Sequence, residues 1–259
     1  MFTPPQYLLV GPFTIYFYSL FILTGIVLGF LLARPEARRF KISGEELALS
    51  IFYAVIPGFI GARLYHVIDQ WLVYSGDPAS AVAVWNGGLG ILGGLAGGLL
   101  GLWFFSRRYR RPLLRLLDIY APSVLLAQAI GRFGNWTNQE AFGQPTDAPW
   151  GIFIAPEHRP EQYLGFERFH PTFFYEAGFD LLGLAVLLLL RPKLRSKPGA
   201  VLGAYLVIYG LGRFLVEFFR FDTAHIGGIA TAHVIAAILV IGGAYLLARP
   251  IPAKTGQES

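Results

Sequence analysis

Seven apolar runs, each close to the roughly 20 residues that a helix needs to cross a hydrocarbon core, constrain this chain more than any other feature. They cover Thr14–Ala33, Leu47–Ile68, Gly87–Phe105, Leu116–Trp136, Phe174–Leu190, Ala200–Phe219 and Ile229–Ala248. Within each run the apolar residues are continuous and do not alternate as barrel strands do. Helices, which satisfy every backbone group internally, are therefore expected. Composition agrees, since only 14% of the 259 residues are charged, against about 25% in soluble domains. The expected fold class is all-α: a single polytopic membrane domain over residues 1–259 with about seven transmembrane helices.

Basic residues in the short connections orient such a protein. Arg34, Arg38, Arg39 and Lys41 follow the first run; Arg107, Arg108, Arg110, Arg111 and Arg115 follow the third; Arg191, Lys193, Arg195 and Lys197 follow the fifth. Arg249 and Lys254 fall on the same side, whereas the N-terminus and the connection from Asp69 to Trp85 carry none. An outside N-terminus and a cytoplasmic C-terminus follow. The first residues lack a basic leader and a small-residue cleavage site, so the first helix is expected to stay. The long connection 137–172, rich in proline, glycine and aromatics, is expected to form a compact extracytoplasmic cap. The net charge of +5 reads as a topology signal and as attraction to anionic headgroups, giving no reason to expect nucleic acid. With no cysteine, the chain has no disulfide, thiolate metal site or cysteine nucleophile of its own.

Arginines within apolar runs are costly, about 2.5–3.5 kcal/mol at mid-bilayer by insertion scales. Arg132 and Arg213 are of this kind. Each alone is open to a bland reading, snorkelling to headgroups or pairing with a nearby carboxylate. In the sixth run Tyr209, Arg213, Glu217 and Arg220 fall at i, i+4, i+8 and i+11, one stripe of a helix. Arg213 and Glu217 are spaced to pair, and spare guanidinium donors suit an anion. Around Arg132, Asn135 and Asn138 add amide groups, Glu140 is able to orient an arginine or take a proton, and Gly131, Gly134 and Gly143 allow close backbone approach. A polar, asparagine-capped helix end is the competing reading. Glycines of the third run, four apart on two faces, point first to tight helix packing.

These residues carry a resemblance. The stretch "GRFGNWTNQEAFG" resembles the signature of the bacterial prolipoprotein diacylglyceryl transferases, approximately G-R-x-G-N-F-x-N-x-E-x-x-G, with Trp136 in place of phenylalanine. "VGPFTIYFYSL", "WNGGLGILGGL", "RFHPTFFYEA" and "YGLGRFLVEFFR" follow the family in order along the chain. The resemblance implies a multi-pass enzyme of the bacterial plasma membrane. Such an enzyme moves the diacylglyceryl group of phosphatidylglycerol to the lipobox cysteine thiol of a preprolipoprotein and releases glycerol 1-phosphate. It implies functional positions at Tyr18, Arg132, Asn135, Glu140, Gly143, Tyr209, Arg213 and Glu217, with no cofactor. Arg132 and Arg213 are expected to hold the phosphate, and Asn138 and Arg220 to assist.

One departure stands out. Many members carry a histidine before the paired glycines of the third run, where this chain has Leu92. Thiol activation then falls to the field of the arginines, to Glu140 or to His170, the last also a plausible capping group. His66, His225 and His233 read as interfacial or packing residues, and no His, Asp and Glu set has metal-ligand spacing, so a metal-independent reaction is expected. A small anion transporter or channel is the rival from another class.

Overall fold

The computed structural model describes residues 3–250, apart from the side chains of Asn86, Ile226 and Ile229; Lys254 lies outside the described residues. In chain order the elements are β1 (Tyr7–Val10), β2 (Phe13–Tyr16), α1 (Phe17–Arg39), α2 (Gly44–Asp69), α3 (Trp71–Tyr74), α4 (Ile91–Arg108) and α5 (Leu113–Asn138). They continue with β3 (Ile152–Phe153), β4 (Arg168–Phe169), α6 (Thr172–Leu194), α7 (Ala200–Glu217), β5 (His225–Ile226), β6 (Ile229–Ala230) and α8 (Thr231–Ala248). Among the described residues the strands form three separate antiparallel pairs and no closed sheet. Six of the long helices are apolar enough to cross a membrane. The seventh, α4, has the necessary 18 residues, but its glycines and terminal arginines dilute its hydropathy. Large apolar side chains on the helices stay exposed, Ile241 at 70% and Leu189 at 77% among them, as lipid-facing surfaces require and soluble ones do not.

Several boundaries differ from the sequence reading; the seventh run, for one, becomes helical only at Thr231, its Ile229 and Ala230 forming β6. Thr14, Ile15 and Tyr16 belong to β2. Gly11, with φ +60°, is the first central residue of a two-residue hairpin turn, the position where glycine is favoured. The third run becomes helical only at Ile91, because Gly87 and Gly88 take φ +81° and +79°. α7 ends at Glu217, so Arg220 lies in the following turn and not on a continued helical stripe.

The chain divides into two compact units. Residues 34–116 form one. Ser43 caps α2, its Oγ accepting from Glu46 N at 3.0 Å. α2 and α4 cross on small residues: a Cβ at Gly97 would stand 3.2 Å from Gly58 Cα, and one at Gly101 3.0 Å from Pro57 Cγ. This is the packing reading of the glycines, and it explains how two backbones meet without side chains between them. Arg63, absent from the sequence reading, is buried in α2. It donates to the carbonyls of Ala81 (2.7 Å), Gly87 (2.6 Å), Gly88 (2.9 Å), Ser80 (2.9 Å) and Ala83 (3.3 Å). Gly87 and Gly88 therefore serve this arginine, which staples the loop before α4.

The other unit contains, among the described residues, the first hairpin, α1 as far as Ala33 and residues 117–250. α1 meets α5 where Ser123 Oγ donates to Gly29 O at 2.7 Å. α7 begins against α5, with Asp118 Oδ2 accepting from Gly199 N at 2.6 Å and Oδ1 from Leu202 N at 2.9 Å. A carboxylate is thus placed on the unsatisfied amides and positive dipole end of a helix. α7 and α8 cross where a Cβ at Gly203 would come 2.8 Å from Gly243 O. Between α5 and α6 the chain folds around Phe142, Ile154, Phe169 and Phe173, all buried, with Trp136, Tyr163 and Phe221 against them. Gln139 ties this segment down by accepting from Ala155 N at 2.6 Å.

Candidate functional site

The long helix α5 carries the signature motif on its last two turns, so Arg132, Asn135 and Asn138 are helical. Gln139 and Ala141, both non-glycine residues with φ near +50°, turn the chain sharply and leave Glu140 between them. The side chains form a relay: Arg132 Nη1 donates to Asn135 Oδ1 (3.3 Å), and Asn135 Nδ2 (2.9 Å) and Asn138 Nδ2 (3.4 Å) both donate to Glu140 Oε1. The signature's polar side chains are therefore joined in one hydrogen-bond network at an exposed helix end.

The centre of the site is a residue that the sequence reading did not single out. Glu176 of α6 is buried, 5% exposed, and three arginines converge on it. Arg132 Nη2 is in direct contact with its Oε2, Arg220 Nη1 lies 3.4 Å from Oε1 and Arg213 Nη1 3.9 Å from the same oxygen. Two further carboxylates hold the outer arginines. Glu217 Oε2 takes Arg213 Nη2 at 2.6 Å and is itself braced by Thr223, whose Oγ1 donates to Oε1 at 2.8 Å. Asp222 binds Arg220 in a fork, accepting from Nε at 3.0 Å and Nη2 at 2.6 Å.

Three guanidiniums against three touching carboxylates make the network close to neutral. The sequence reading expected spare donors on Arg213 and Arg220. Arg220 is largely engaged, whereas Arg213 Nη1 is buried with no hydrogen-bond partner among the described residues. The Arg132 and Arg213 side chains nevertheless keep 21% of their surface exposed, and Arg220 13%. They are pinned by acids while part of each side chain stays exposed, and a guanidinium fixed in this way is preorganised for a second anion.

Tyrosines complete the surroundings. Tyr18, in the first turn of α1, lies over Gly134, where a Cβ would stand 3.0 Å from the ring's Cε2, and is within electrostatic reach of Glu140 and Arg132. Tyr209 of α7 stacks on Tyr205 with ring centres 6.0 Å apart and feels Arg132, Glu176 and Arg213. Asp180, one turn along α6 from Glu176, is also buried and also went unmarked; its Oδ2 has no hydrogen-bond partner among the described residues. Gly134 thus makes room for Tyr18. Gly143 makes room for the chain, since a Cβ there would come 2.7 Å from Thr172 Cγ2 and 3.0 Å from His170 Cβ.

His170 keeps other company. Its Nδ1 lies 3.0 Å from Tyr175 Oη, which already accepts from Trp150 Nε1 at 2.7 Å. Burial lowers the imidazole pKa below its ordinary 6.5. The pair rims an apolar groove of about 780 Å³ between α6 and α7, beside Phe174, Gly178 and Phe179. His66 packs on Tyr74 and His233 on Phe214 and Phe218. Among the described residues no three His, Asp or Glu side chains are grouped to hold a metal ion.

Comparison with known proteins gives a consistent answer. The family model described as prolipoprotein diacylglyceryl transferase matches residues 5–249. A phosphatidylglycerol–prolipoprotein diacylglyceryl transferase of Nostoc sp. is 39% identical, covering 97% of this chain and 93% of that protein. Its counterpart in Gloeobacter violaceus is 39% identical over 94% of this chain and 92% of that protein. The one from Cutibacterium acnes is 41% identical, covering 92% and 81%.

Proposed function

The chain belongs to the prolipoprotein diacylglyceryl transferase family, and from that premise we propose that it moves the diacylglyceryl group of phosphatidylglycerol onto the lipobox cysteine of a preprolipoprotein at the bacterial plasma membrane. Membership decides for a transferase over an anion transporter. The residue roles rest on one observation: three arginines from two helices and a turn meet at a buried glutamate while each side chain stays partly exposed.

In the reaction the cysteine sulfur attacks the glyceryl carbon next to the phosphate. The carbon–oxygen bond breaks, its electron pair stays on the phosphate oxygen, and glycerol 1-phosphate leaves. Negative charge grows on that phosphate, and Arg132 and Arg213 are the groups held ready for it, Arg213 with an Nη1 that makes no hydrogen bond among the described residues and only a 3.9 Å ion pair to Glu176. Preorganised donors in a site shielded from water stabilise such developing charge most strongly. Glu176, Glu217 and Asp222 act as positioning residues that fix the guanidiniums, and Arg220 completes the cluster. Asn135 and Asn138 orient Glu140, Tyr18 and Tyr209 place the lipid head, and Gly143 shapes the turn that presents Glu140.

The thiol proton must leave, and Leu92 offers no base. Of the remaining groups Glu140 fits best. Its side chain is exposed and one oxygen is fixed by two amides. His170 is engaged with Tyr175 and stands at the groove. The proton passes on to the departing phosphate, which balances the reaction without a cofactor. In this reading the N-terminus and the cap 137–172 are extracytoplasmic and the C-terminus cytoplasmic.

The test is transfer by the purified protein in detergent, with phosphatidylglycerol and a lipobox peptide, read by mass spectrometry. A diacylglyceryl adduct on the cysteine peptide, absent from its serine counterpart and absent with Arg132→Ala, is expected. Full transfer by a folded Arg132→Ala protein refutes the phosphate assignment.

A further inference from the structure

The first hairpin leaves its side chains bare. Its register pairs Tyr7 with Tyr16, Leu8 with Ile15, Leu9 with Thr14 and Val10 with Phe13. Cross-strand partners share a face, and neighbours along a strand alternate. One face therefore carries Leu8, Val10, Phe13 and Ile15, and the other Tyr7, Leu9, Thr14 and Tyr16. The first face is wholly apolar. Phe13 is 70% exposed, Leu8 52% and Val10 50%, and Ile15 is half-buried. No charged side chain precedes Arg34.

Such a hairpin is ill suited to water. Two strands alone are marginal there, and open edges that natural proteins blunt with charge invite pairing with other chains. This one has no charge to blunt them. It is equally ill suited to the hydrocarbon core, where unpaired edge amides and carbonyls find no partner. The headgroup boundary meets both demands: water reaches the edges from one side, and acyl chains receive the apolar face from the other.

Connectivity decides which surface is within reach. β2 runs into α1 without a linker, and Phe17 N donates to Gln6 O at 3.0 Å, so the strand pairing continues into the first residue of a helix long and apolar enough to cross a membrane. On α1, Leu20, Leu23, Val27 and Leu31 are exposed and spaced as one stripe. The hairpin thus continues a lipid-facing surface. Gln6 Nε2 also lies 3.2 Å from His158 Nε2, which ties the base of the hairpin to the segment between α5 and α6. Tyr7 and Tyr16, with ring centres 6.1 Å apart, stand at that base, and tyrosine is enriched at the membrane boundary.

We propose that the hairpin is an interfacial anchor, its Leu8, Val10, Phe13 and Ile15 face resting in the lipid leaflet at the start of α1. The partner is the lipid surface, and the face of Tyr7, Leu9, Thr14 and Tyr16 looks toward headgroups and water. Tyr18 follows at once in the first turn of α1, so the anchor sets the depth at which that ring meets Gly134. This placement needs α1 to cross the membrane and is independent of the transfer chemistry.

The cysteine-free sequence allows a test on the full chain in phosphatidylcholine vesicles. A nitroxide is attached at Phe13→Cys or at Thr14→Cys, and electron paramagnetic resonance compares its collisions with oxygen, which concentrates in lipid, and with a water-soluble nickel chelate. Oxygen should relax the Phe13→Cys label more than the chelate does, and the order should reverse at Thr14→Cys. If Phe13→Cys unfolds, Val10→Cys reads the same face. Chelate access at both faces overturns the anchor, and oxygen preferred at both overturns the interfacial position. A Phe13→Cys label shielded from both reagents would mean that protein covers the face, and spin–spin broadening that vanishes on dilution with unlabelled protein would mean a second copy; either overturns lipid as the occupant.

Discussion

Replacing Glu176 by glutamine separates the arginines by how much each depends on it. Arg213 and Arg220 lie 3.9 and 3.4 Å from Glu176 and keep their 2.6 Å contacts to Glu217 and Asp222. Arg132 touches Glu176 directly and, among the described residues, would retain the 3.3 Å hydrogen bond to Asn135 and the more distant charge of Asp180. The loss therefore falls on Arg132. Breaking a buried pair by removing one partner costs about 3–5 kcal/mol. The 21% exposure of Arg132 gives water access to the orphaned charge, which places the expected loss near the lower end, about 3 kcal/mol. A guanidinium free to move by about 1 Å also loses its hold on the phosphate, a displacement worth roughly 100-fold in rate. Glu176→Gln should then lower the thermal midpoint in detergent and reduce kcat/KM for peptide transfer by about two orders of magnitude. Glu176→Asp, which keeps the charge, should recover part of both. Wild-type kcat/KM in a folded Glu176→Gln protein would show that the convergence of arginines on α6 is incidental to transfer.

Two further outcomes follow from the same geometry. Asp118→Ala leaves the Gly199 and Leu202 amides at the start of α7 without an acceptor and should destabilise the protein by about 1–3 kcal/mol, while the folded fraction transfers at the normal rate; Asp118→Asn should lose less, and equal midpoints for all three proteins would refute the cap. Burial lowers the His170 pKa in the fold, so below its ordinary 6.5 the unfolded chain binds a proton that the folded chain resists, and stability contributed by the neutral ring falls with pH. The thermal midpoint should therefore drop more between pH 7.5 and 5.5 in the wild type than in His170→Gln, and parallel curves would count against this.

Much of the candidate site was legible because lipid makes polarity expensive. Arg132 and Arg213 stand out in apolar runs, and both are in the network. The same cost applies to Glu176 and Asp180, four residues apart in the run that becomes α6, and that was the available signal for them. It is weaker than the arginine signal because a lone carboxylate near a helix start reads as a dipole partner or an interfacial group. Arg63 is harder still to recognise. Its partners are five backbone carbonyls of a loop, and a carbonyl carries no mark in the sequence.

The division follows from which interactions are local. Helical spans, the α2 cap at Ser43 and the glycine faces of α4 are written in neighbouring residues, since period, hydropathy and small size act over a few positions of one chain segment. So the sequence by itself determined an all-helical membrane protein with arginines that need partners. Tertiary structure decided who those partners are. Glu176 reaches Arg132, Arg213 and Arg220 from a different helix, and the continuation of the stripe to Arg220 is replaced by a turn that still delivers its guanidinium to the same carboxylate. Such convergence depends on helix crossings set by packing, where the identity of the residue across the interface is fixed only once the chain has folded.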